Sequence, residues 1–187
     1  ILAILVVLVA PAANAQHDLS TWFKLRDGKT TVIPWYVYSG PVFVDARYNF
    51  DAPDSLAVLV GKSFGDKTKF IPAIGGITGK YDSLTAEMNI IGRFWIIDYF
   101  TLNQYSHGFG DSPNFVYHWA DFLIPITKNI SIGADEQWYW EKNGGKGQLD
   151  YGPVVKLKSN DGLYTKFWLA ATNTGSPKFF IGFGLSK

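Results

Sequence analysis

The chain has 187 residues, enough for one domain with a full core or for one closed barrel, and its 17 Lys and Arg residues nearly balance its 16 Asp and Glu residues. This balance provides no basic surface for nucleic acid, and the lack of cysteine excludes disulfides, thiolate metal sites and cysteine nucleophiles. Aromatic residues make up 17% of the chain, including 7 Trp and 10 Tyr, which favour membrane–water interfaces. Composition therefore leaves open a membrane-embedded β-protein and a soluble β-protein with an aromatic core.

Residues 1–15 predict a cleaved signal peptide. Ile1–Val9 is an uninterrupted apolar run, and it is too short to span a bilayer, which needs about 20 apolar residues. Ala13-Asn14-Ala15 fits the small-x-small pattern of a signal-peptidase site, with cleavage before Gln16. No basic region or initiator Met precedes the run, so we expect the sequence to begin inside the signal. The alternative interpretation is a buried helix or strand.

Residues 16–40 predict a lead-in segment ahead of the main domain, which we place at residues 41–187. The segment is polar and mixed at first, with a turn at Asp27-Gly28-Lys29. Val32–Tyr38 is extended and aromatic, but Pro34 lacks a backbone donor, so this stretch is expected at a sheet edge or a strand start.

Pro41–Phe50 shows the clearest strand pattern in the chain. One side is apolar and consists of Val42, Val44, Ala46, Tyr48 and Phe50. The other side consists of Phe43, Asp45, Arg47 and Asn49. This period-2 alternation predicts a strand that lies between an apolar and a polar surface.

Similar segments continue to the end of the chain. They are predicted at residues 41–50, 55–64, 69–79, 83–90, 93–105, 114–124, 129–140, 148–158, 163–172 and 178–186. The longer polar connections Ser106–Pro113 and Glu141–Gly147 alternate with short turns, as in barrels with long outer loops and short periplasmic turns. The predicted fold is all-β, a closed antiparallel up-and-down transmembrane β-barrel of about ten strands, within a range of roughly 8–12.

The apolar faces of these strands are predicted to contact lipid. The opposite faces combine ionic residues with small ones such as Ser55, Ala57 and Gly61, which suit a narrow lumen. Only 18% of the residues are charged, fewer than a water-facing surface usually carries. Aromatic residues near the strand ends predict two interface girdles, at Trp35/Tyr36, Tyr48/Phe50, Tyr99/Phe100, Tyr117/Trp119 and Trp138/Trp140.

Together with the final Lys178–Leu185 stretch, K-F-F-I-G-F-G-L, these features resemble the small outer-membrane β-barrel proteins of Gram-negative bacteria. The resemblance covers about residues 41–187 as a pattern. That class usually ends on an aromatic residue recognised during assembly, whereas this chain ends Leu185-Ser186-Lys187. The resemblance implies the bacterial outer membrane as the location and a monomeric barrel without a cofactor. Its implied partners are the lipid bilayer, lipopolysaccharide and the outer-membrane assembly machinery.

Charged residues on the inward faces predict an ion-pair network in the lumen, because an unpaired buried charge is very costly. The predicted members are Asp45, Arg47, Glu87, Asp135, Asp150 and Lys156, and Asp98 and Lys166 are also expected to point inward. Strand 55–64 offers Arg47 no inward charge, so we predict that Arg47 pairs across the lumen with Glu87, Asp135 or Asp150. Barrels of about 8 strands fill with side chains and open channels appear at about 16, so the network is expected to plug the lumen.

Ser106, His107 and Asp111 are the candidate catalytic residues, because they lie close together in one predicted loop. A hydrolytic triad also needs a base oriented by a third group, which proximity in sequence does not supply. A polar surface loop is therefore the favoured interpretation. His118 is expected in the lumen or at an interface, and no His, Asp and Glu residues have the spacing of a metal site.

The leading functional hypothesis is a non-enzymatic outer-membrane barrel with a side-chain-filled lumen, acting through its structure or through surface interactions of its loops. The first alternative is an outer-membrane enzyme that modifies lipid or lipopolysaccharide. The second is a soluble periplasmic β-barrel that binds an apolar ligand, which requires the apolar faces to point inward.

Overall fold

The computed structural model describes residues 16–50, 53–79, 81–142 and 147–187, so the predicted signal peptide lies outside the described residues. Within these ranges no helix is long and apolar enough to cross a membrane. The described residues form twelve strands: β1 (Gln16–Arg26), β2 (Lys29–Ser39), β3 (Phe43–Tyr48), β4 (Leu56–Gly61), β5 (Lys69–Thr78), β6 (Ser83–Phe94), β7 (Ile97–Gly108), β8 (Phe115–Pro125), β9 (Ile130–Glu141), β10 (Gln148–Lys158), β11 (Leu163–Thr172) and β12 (Lys178–Ser186).

The strands close into one up-and-down antiparallel barrel. Each strand pairs with the next in sequence, and β1 pairs with β12 to complete the ring, for example at Thr21↔Phe183. Closure gives every strand two neighbours, so no sheet edge is left open. The predicted fold class is confirmed, with twelve strands at the upper end of the expected range.

The barrel begins at Gln16, since the segment predicted as a lead-in forms β1 and β2. A tight turn at Asp27 and Gly28 joins these strands, and both residues have positive φ angles, of 50° and 71°. Pro34 is tolerated because it lies just beyond the β2–β3 ladder, which starts at Trp35↔Arg47. The β6–β7 turn also differs from the sequence prediction. It lies at residues 95–96, whereas the predicted strand boundaries placed it before residue 93.

The outer face of the barrel is apolar and the inner face carries the buried charges. Large apolar side chains on the outside stay exposed, such as Leu19 at 59%, Ile74 at 59% and Leu169 at 54%. Asp45 and Arg47 point into the lumen and are each 1% exposed. A soluble barrel would have the opposite arrangement, so the outer face is suited to lipid.

The predicted alternation of Pro41–Phe50 holds through β3 and then breaks. Asn49 has a φ angle of 59°, in the left-handed region, which redirects the chain after Tyr48. Phe50 therefore points into the lumen, where its ring lies 5.2 Å from Trp35 and 5.9 Å from Trp119. The expectation that Phe50 shares the apolar outer side is wrong.

Half of the aromatic residues assigned to the interface girdles lie inside the barrel. Those in the lumen are Trp35, Phe50, Phe100, Tyr117 and Trp119, all of which belong to or pack against one interior cluster. The outward members are Tyr36, Tyr48, Tyr99, Trp138 and Trp140. Adjacent residues in a strand point to opposite faces, so the pairs Trp35/Tyr36 and Tyr99/Phe100 are divided between lumen and exterior, whereas Tyr117/Trp119 and Trp138/Trp140, two residues apart, each share one face.

The two ends of the barrel differ in their connections. At the end where β1 starts and β12 finishes, here the terminal end, the turns are residues 40–42, 62–68, 95–96, 126–129 and 159–162. At the opposite end, here the loop end, the connections span residues 27–28, 49–55, 79–82, 109–114, 142–147 and 173–177. The connections at the loop end are on average longer than the turns at the terminal end.

Candidate functional site in the lumen

The first group of buried charges is centred on Arg47. Its Nη1 lies 2.8 Å from Asp45 Oδ2 and 2.8 Å from Glu87 Oε2, and its Nη2 donates to Gln104 Oε1 at 2.6 Å. The Trp35 indole also donates to Asp45, at 2.9 Å. Glu87 stands on β6, so the guanidinium joins β3 to a strand that does not neighbour it.

A second group is centred on Lys166 of β11. Its Nζ lies 2.6 Å from Asp121 and 2.8 Å from Asp135, and Trp119 Nε1 donates to Asp135. The ammonium group also lies 5.3 Å from the ring centroids of Trp22 and of Trp119, within reach of a cation–π interaction. One lysine therefore neutralises charge on two strands and covers two indole rings.

A third group lies nearer the loop end, where Lys178 is paired with Asp150 and Gln148 donates to the same carboxylate at 2.9 Å. Glu141 lies toward the same end and accepts from Tyr139 at 2.7 Å. Tyr81, in the connection before β6, has its hydroxyl 3.5 Å from Glu141. Burial raises the pKa of the Tyr81 phenol, so this group stays a neutral donor.

Aromatic rings narrow the lumen between these groups, and we call Trp22, Trp35, Phe50, Phe100 and Trp119 the waist. The Trp119 ring contacts the other four, with centroid distances of 5.6 Å to Trp22, 5.4 Å to Trp35, 5.9 Å to Phe50 and 5.9 Å to Phe100. Trp22, Trp35 and Trp119 are all at least nine-tenths buried. Packed rings of this kind are held by dispersion and burial, and they leave little free cross-section.

The described part of the chain encloses a lumen cavity on each side of the waist. The cavity at the terminal end has a volume of about 530 Å³ and is bounded by Trp22, Trp35, Phe100 and Trp119. The cavity at the loop end has a volume of about 240 Å³ and is bounded by Phe50. These two cavities have no lining residue in common, and waist rings line each of them.

The structure places five of the six predicted network residues in these groups: Asp45, Arg47, Glu87, Asp135 and Asp150. The sixth, Lys156, faces the terminal-end cavity, with its ammonium 4.7 Å from the ring centroid of Tyr164. Asp98 pairs with Arg93 at the terminal end of β6 and β7 and is partly exposed. Arg47 therefore reaches one of its three predicted partners.

Sequence reasoning missed Lys178, Asp121 and the indole donors of the network. Lys178 lies on the same face of its strand as Phe180 and Gly182. Asp121 lies on the same face of its strand as Trp119 and Leu123. The period-2 alternation of these strands was therefore a signal that could have identified both residues as inward-facing. The indole donors carried no such signal, because these tryptophans were assigned to the membrane interface.

The candidate catalytic residues are not brought together. Ser106 is inward and fully buried, 2.8 Å from the Thr85 hydroxyl, and it accepts from Gln104 at 3.0 Å. His107 is the next residue of β7 and points to the outer face, opposite Leu84. Asp111 lies in the following turn.

His118, expected in the lumen or at an interface, is also on the outer face. In the described ranges no three His, Asp or Glu residues are grouped as metal ligands.

Comparison with known proteins identifies the fold class. No protein-family model and no curated protein matches the sequence. Solved structures do match, among them KdgM porin, with a TM-score of 0.62 at 8% identity over 90% of this chain and 98% of that one. Omp33 of Acinetobacter baumannii gives 0.52 at 11% identity over 91% and 97%. A loop-deletion mutant of OmpT from Vibrio cholerae gives 0.51 at 9% identity over 93% and 98%.

The chain has the fold of bacterial outer-membrane β-barrel proteins, and the predicted resemblance to that class is confirmed. At these identities the likeness concerns the fold. The apolar outer face agrees with it independently, since an exterior of this kind is stable in a bilayer and not in water. Both observations support the predicted location, the bacterial outer membrane.

Proposed function

We propose that this protein is a non-enzymatic outer-membrane barrel that keeps its lumen closed and acts through its structure or through its exposed loops. The observation that carries the proposal is the waist, whose packed rings line both of two lumen cavities that have no lining residue in common. The ion pairs around Arg47 and Lys166 support closure, because each links inward faces of strands that are not neighbours.

The proposal assigns roles to the parts of the chain around the barrel. Residues 1–15 direct export and are removed, and the outer-membrane assembly machinery inserts the mature chain. The apolar outer face contacts the lipid bilayer and, toward the outside, lipopolysaccharide. The loop end is exposed at the cell surface, so partners reach the connections at that end.

A narrow solute channel is the second candidate, because the two cavities enter the lumen from opposite ends and only the waist lies between them. Lys69, Lys156 and Lys158 line the terminal-end cavity and would favour small anionic solutes. One KdgM porin structure is described as a complex with disordered oligogalacturonate. In this candidate the waist rings must move aside for passage.

Electrical conductance in planar lipid bilayers distinguishes the two candidates. The folded wild-type chain is expected to show no steady open current, and Trp119→Ala is expected to conduct because it removes the ring that contacts the rest of the waist. Trp138→Ala is the matched control, since Trp138 lies on the outer face. A steady wild-type current as large as that of Trp119→Ala would contradict closure and favour the channel.

A further inference from the structure

A polar patch interrupts the apolar outer face on β7, β8 and β9. It consists of Asn103, His118 and Glu136, and we call it the outer polar patch. Glu136 is the one acidic side chain that the described strands turn outward. Asn103 and Glu136 lie in the central part of β7 and β9, which corresponds to the depth of the hydrocarbon core, and His118 lies beside them on β8.

The patch is internally connected but incomplete. Asn103 Oδ1 accepts from His118 Nδ1 at 2.8 Å, and the Asn103 amide nitrogen lies 3.3 Å from the Met88 carbonyl. Glu136 Oε1 is 3.8 Å from His118 Nε2, which is too long for a hydrogen bond. The side chain of Glu136 is 48% exposed and that of His118 is 29% exposed. The carboxyl group therefore projects outward with capacity for further hydrogen bonds.

Lipid tails cannot supply those hydrogen bonds. Ionisable residues at membrane depth almost always face protein or a water-filled cavity and pair with another polar group. Glu136 faces neither within its own barrel, since the lumen lies on the other side of β9. The energetic problem is solved if a second protein surface covers the patch and supplies a donor.

We propose that the outer polar patch is the contact site for a second copy of this chain in the membrane. The patch holds the Glu136 carboxyl group beside the Asn103 amide and the His118 Nε2. It is complementary to itself, because a protonated carboxyl group donates to a neutral Nε2, and a carboxylate accepts from the amide or from a protonated imidazole. Two copies related by a two-fold axis would each present the carboxyl group to the imidazole or amide of the other. This assembly differs from the monomer predicted from the sequence, and it rests on the proposed membrane location but not on whether the lumen conducts.

The residues around the outer polar patch favour close approach of two copies of the barrel. Ala120 pairs with Glu136 in the β8–β9 ladder, and Ala134 lies two residues before Glu136 on the same face. Small side chains at such positions let two membrane-embedded surfaces come together. Phe122 and Trp138 flank them on the outer face and are 44% and 37% exposed, so they can form an apolar rim around the polar centre.

Crosslinking through introduced cysteines tests the proposal, because the chain contains no cysteine of its own. Ala134→Cys is treated with a short thiol-to-thiol crosslinker in intact outer membranes, and the product is sized on a denaturing gel. Ala46→Cys is the matched control, since Ala46 also lies on the outer face but on β3, far around the barrel. We expect a dimer of the chain from Ala134→Cys and none from Ala46→Cys.

A second substitution checks that the carboxyl group itself holds the copies together. Adding Glu136→Leu to Ala134→Cys is expected to lower the crosslinked dimer about tenfold, equivalent to ~1.4 kcal/mol of association. Glu136→Gln keeps hydrogen-bonding capacity and should lower it less. Heat-modifiable gel mobility confirms that each variant is folded. Dimer at the Ala46→Cys level, dimer insensitive to Glu136→Leu, or a crosslink only to a chain of different mass would overturn the proposal.

Discussion

Removing the guanidinium of Arg47 should strongly destabilise the barrel. Arg47 is 1% exposed and lies between Asp45 and Glu87, with both contacts at 2.8 Å and a further hydrogen bond to Gln104. Arg47→Ala therefore leaves two carboxylates close together in the lumen without the cation between them. Deleting one partner of a buried pair typically costs ~3–5 kcal/mol.

The direction in which a second substitution changes the stability makes the prediction specific. Glu87→Gln added to Arg47→Ala should recover part of the lost stability, because it removes one of the two like charges that the first change left behind. Replacing Arg47, Asp45 and Glu87 together by apolar residues of similar volume should recover more, since a buried ionic group and an apolar replacement of similar volume are often nearly equivalent. If Arg47 and Glu87 acted independently, the double substitution would instead lower the free energy of unfolding by the sum of the two single losses.

The measurement is equilibrium unfolding in urea in the presence of lipid vesicles, followed by tryptophan fluorescence. Arg93→Ala is the matched control, because Arg93 also forms an ion pair, with Asp98, but this pair is exposed, with side-chain exposures of 60% and 40%. Little change is expected for that control. If Arg47→Ala unfolds at the same urea concentration as Arg93→Ala, or if Glu87→Gln deepens the loss, the reasoning about the buried network fails.

Two further predictions concern the outer face. Val44→Arg should reduce the folded fraction in membranes, because arginine on the lipid-facing side of a strand costs up to ~2–4 kcal/mol, depending on its depth. Val44→Leu is the control, and normal heat-modifiable mobility of the arginine variant would contradict the orientation. His107→Ala should leave folding and the composition of lipid A and phospholipids unchanged, because Ser106 lies on the opposite face of the same strand; an altered lipid profile in that variant would favour an enzyme.

The strand pattern could be predicted from the sequence wherever both faces have a clear character. In Pro41–Phe50 the alternation correctly assigned Asp45 and Arg47 to the lumen, because side-chain direction in a strand follows from period 2 alone. It failed at Phe50, since a left-handed Asn49 resets the alternation and a sequence pattern does not reveal that backbone angle. It also failed for β1 and β2, where Pro34 hid a regular strand.

The lumen contacts were harder to predict because they depend on register and barrel tilt. Three acids were candidates for Arg47, and only the relative heights of β3 and β6 select Glu87. The positions of Ser106 and His107, in contrast, could have been predicted from the sequence. β7 continues to Gly108, so the side chains of adjacent residues in it point to opposite faces. Predicting the longer strand from the sequence would have been enough to place Ser106 and His107 on different faces.

The seam between β1 and β12 has a consequence for how the chain folds. Its contacts join residues at opposite ends of the barrel sequence, from Leu25↔Phe179 to the paired backbone bonds between His17 and Lys187. Contacts of such long range form late and slowly, and until they form both flanking strands present unpaired backbone groups that a bilayer cannot satisfy. We therefore expect pairing of β1 with β12 to be a late step of folding, since it needs the last described strand to be available.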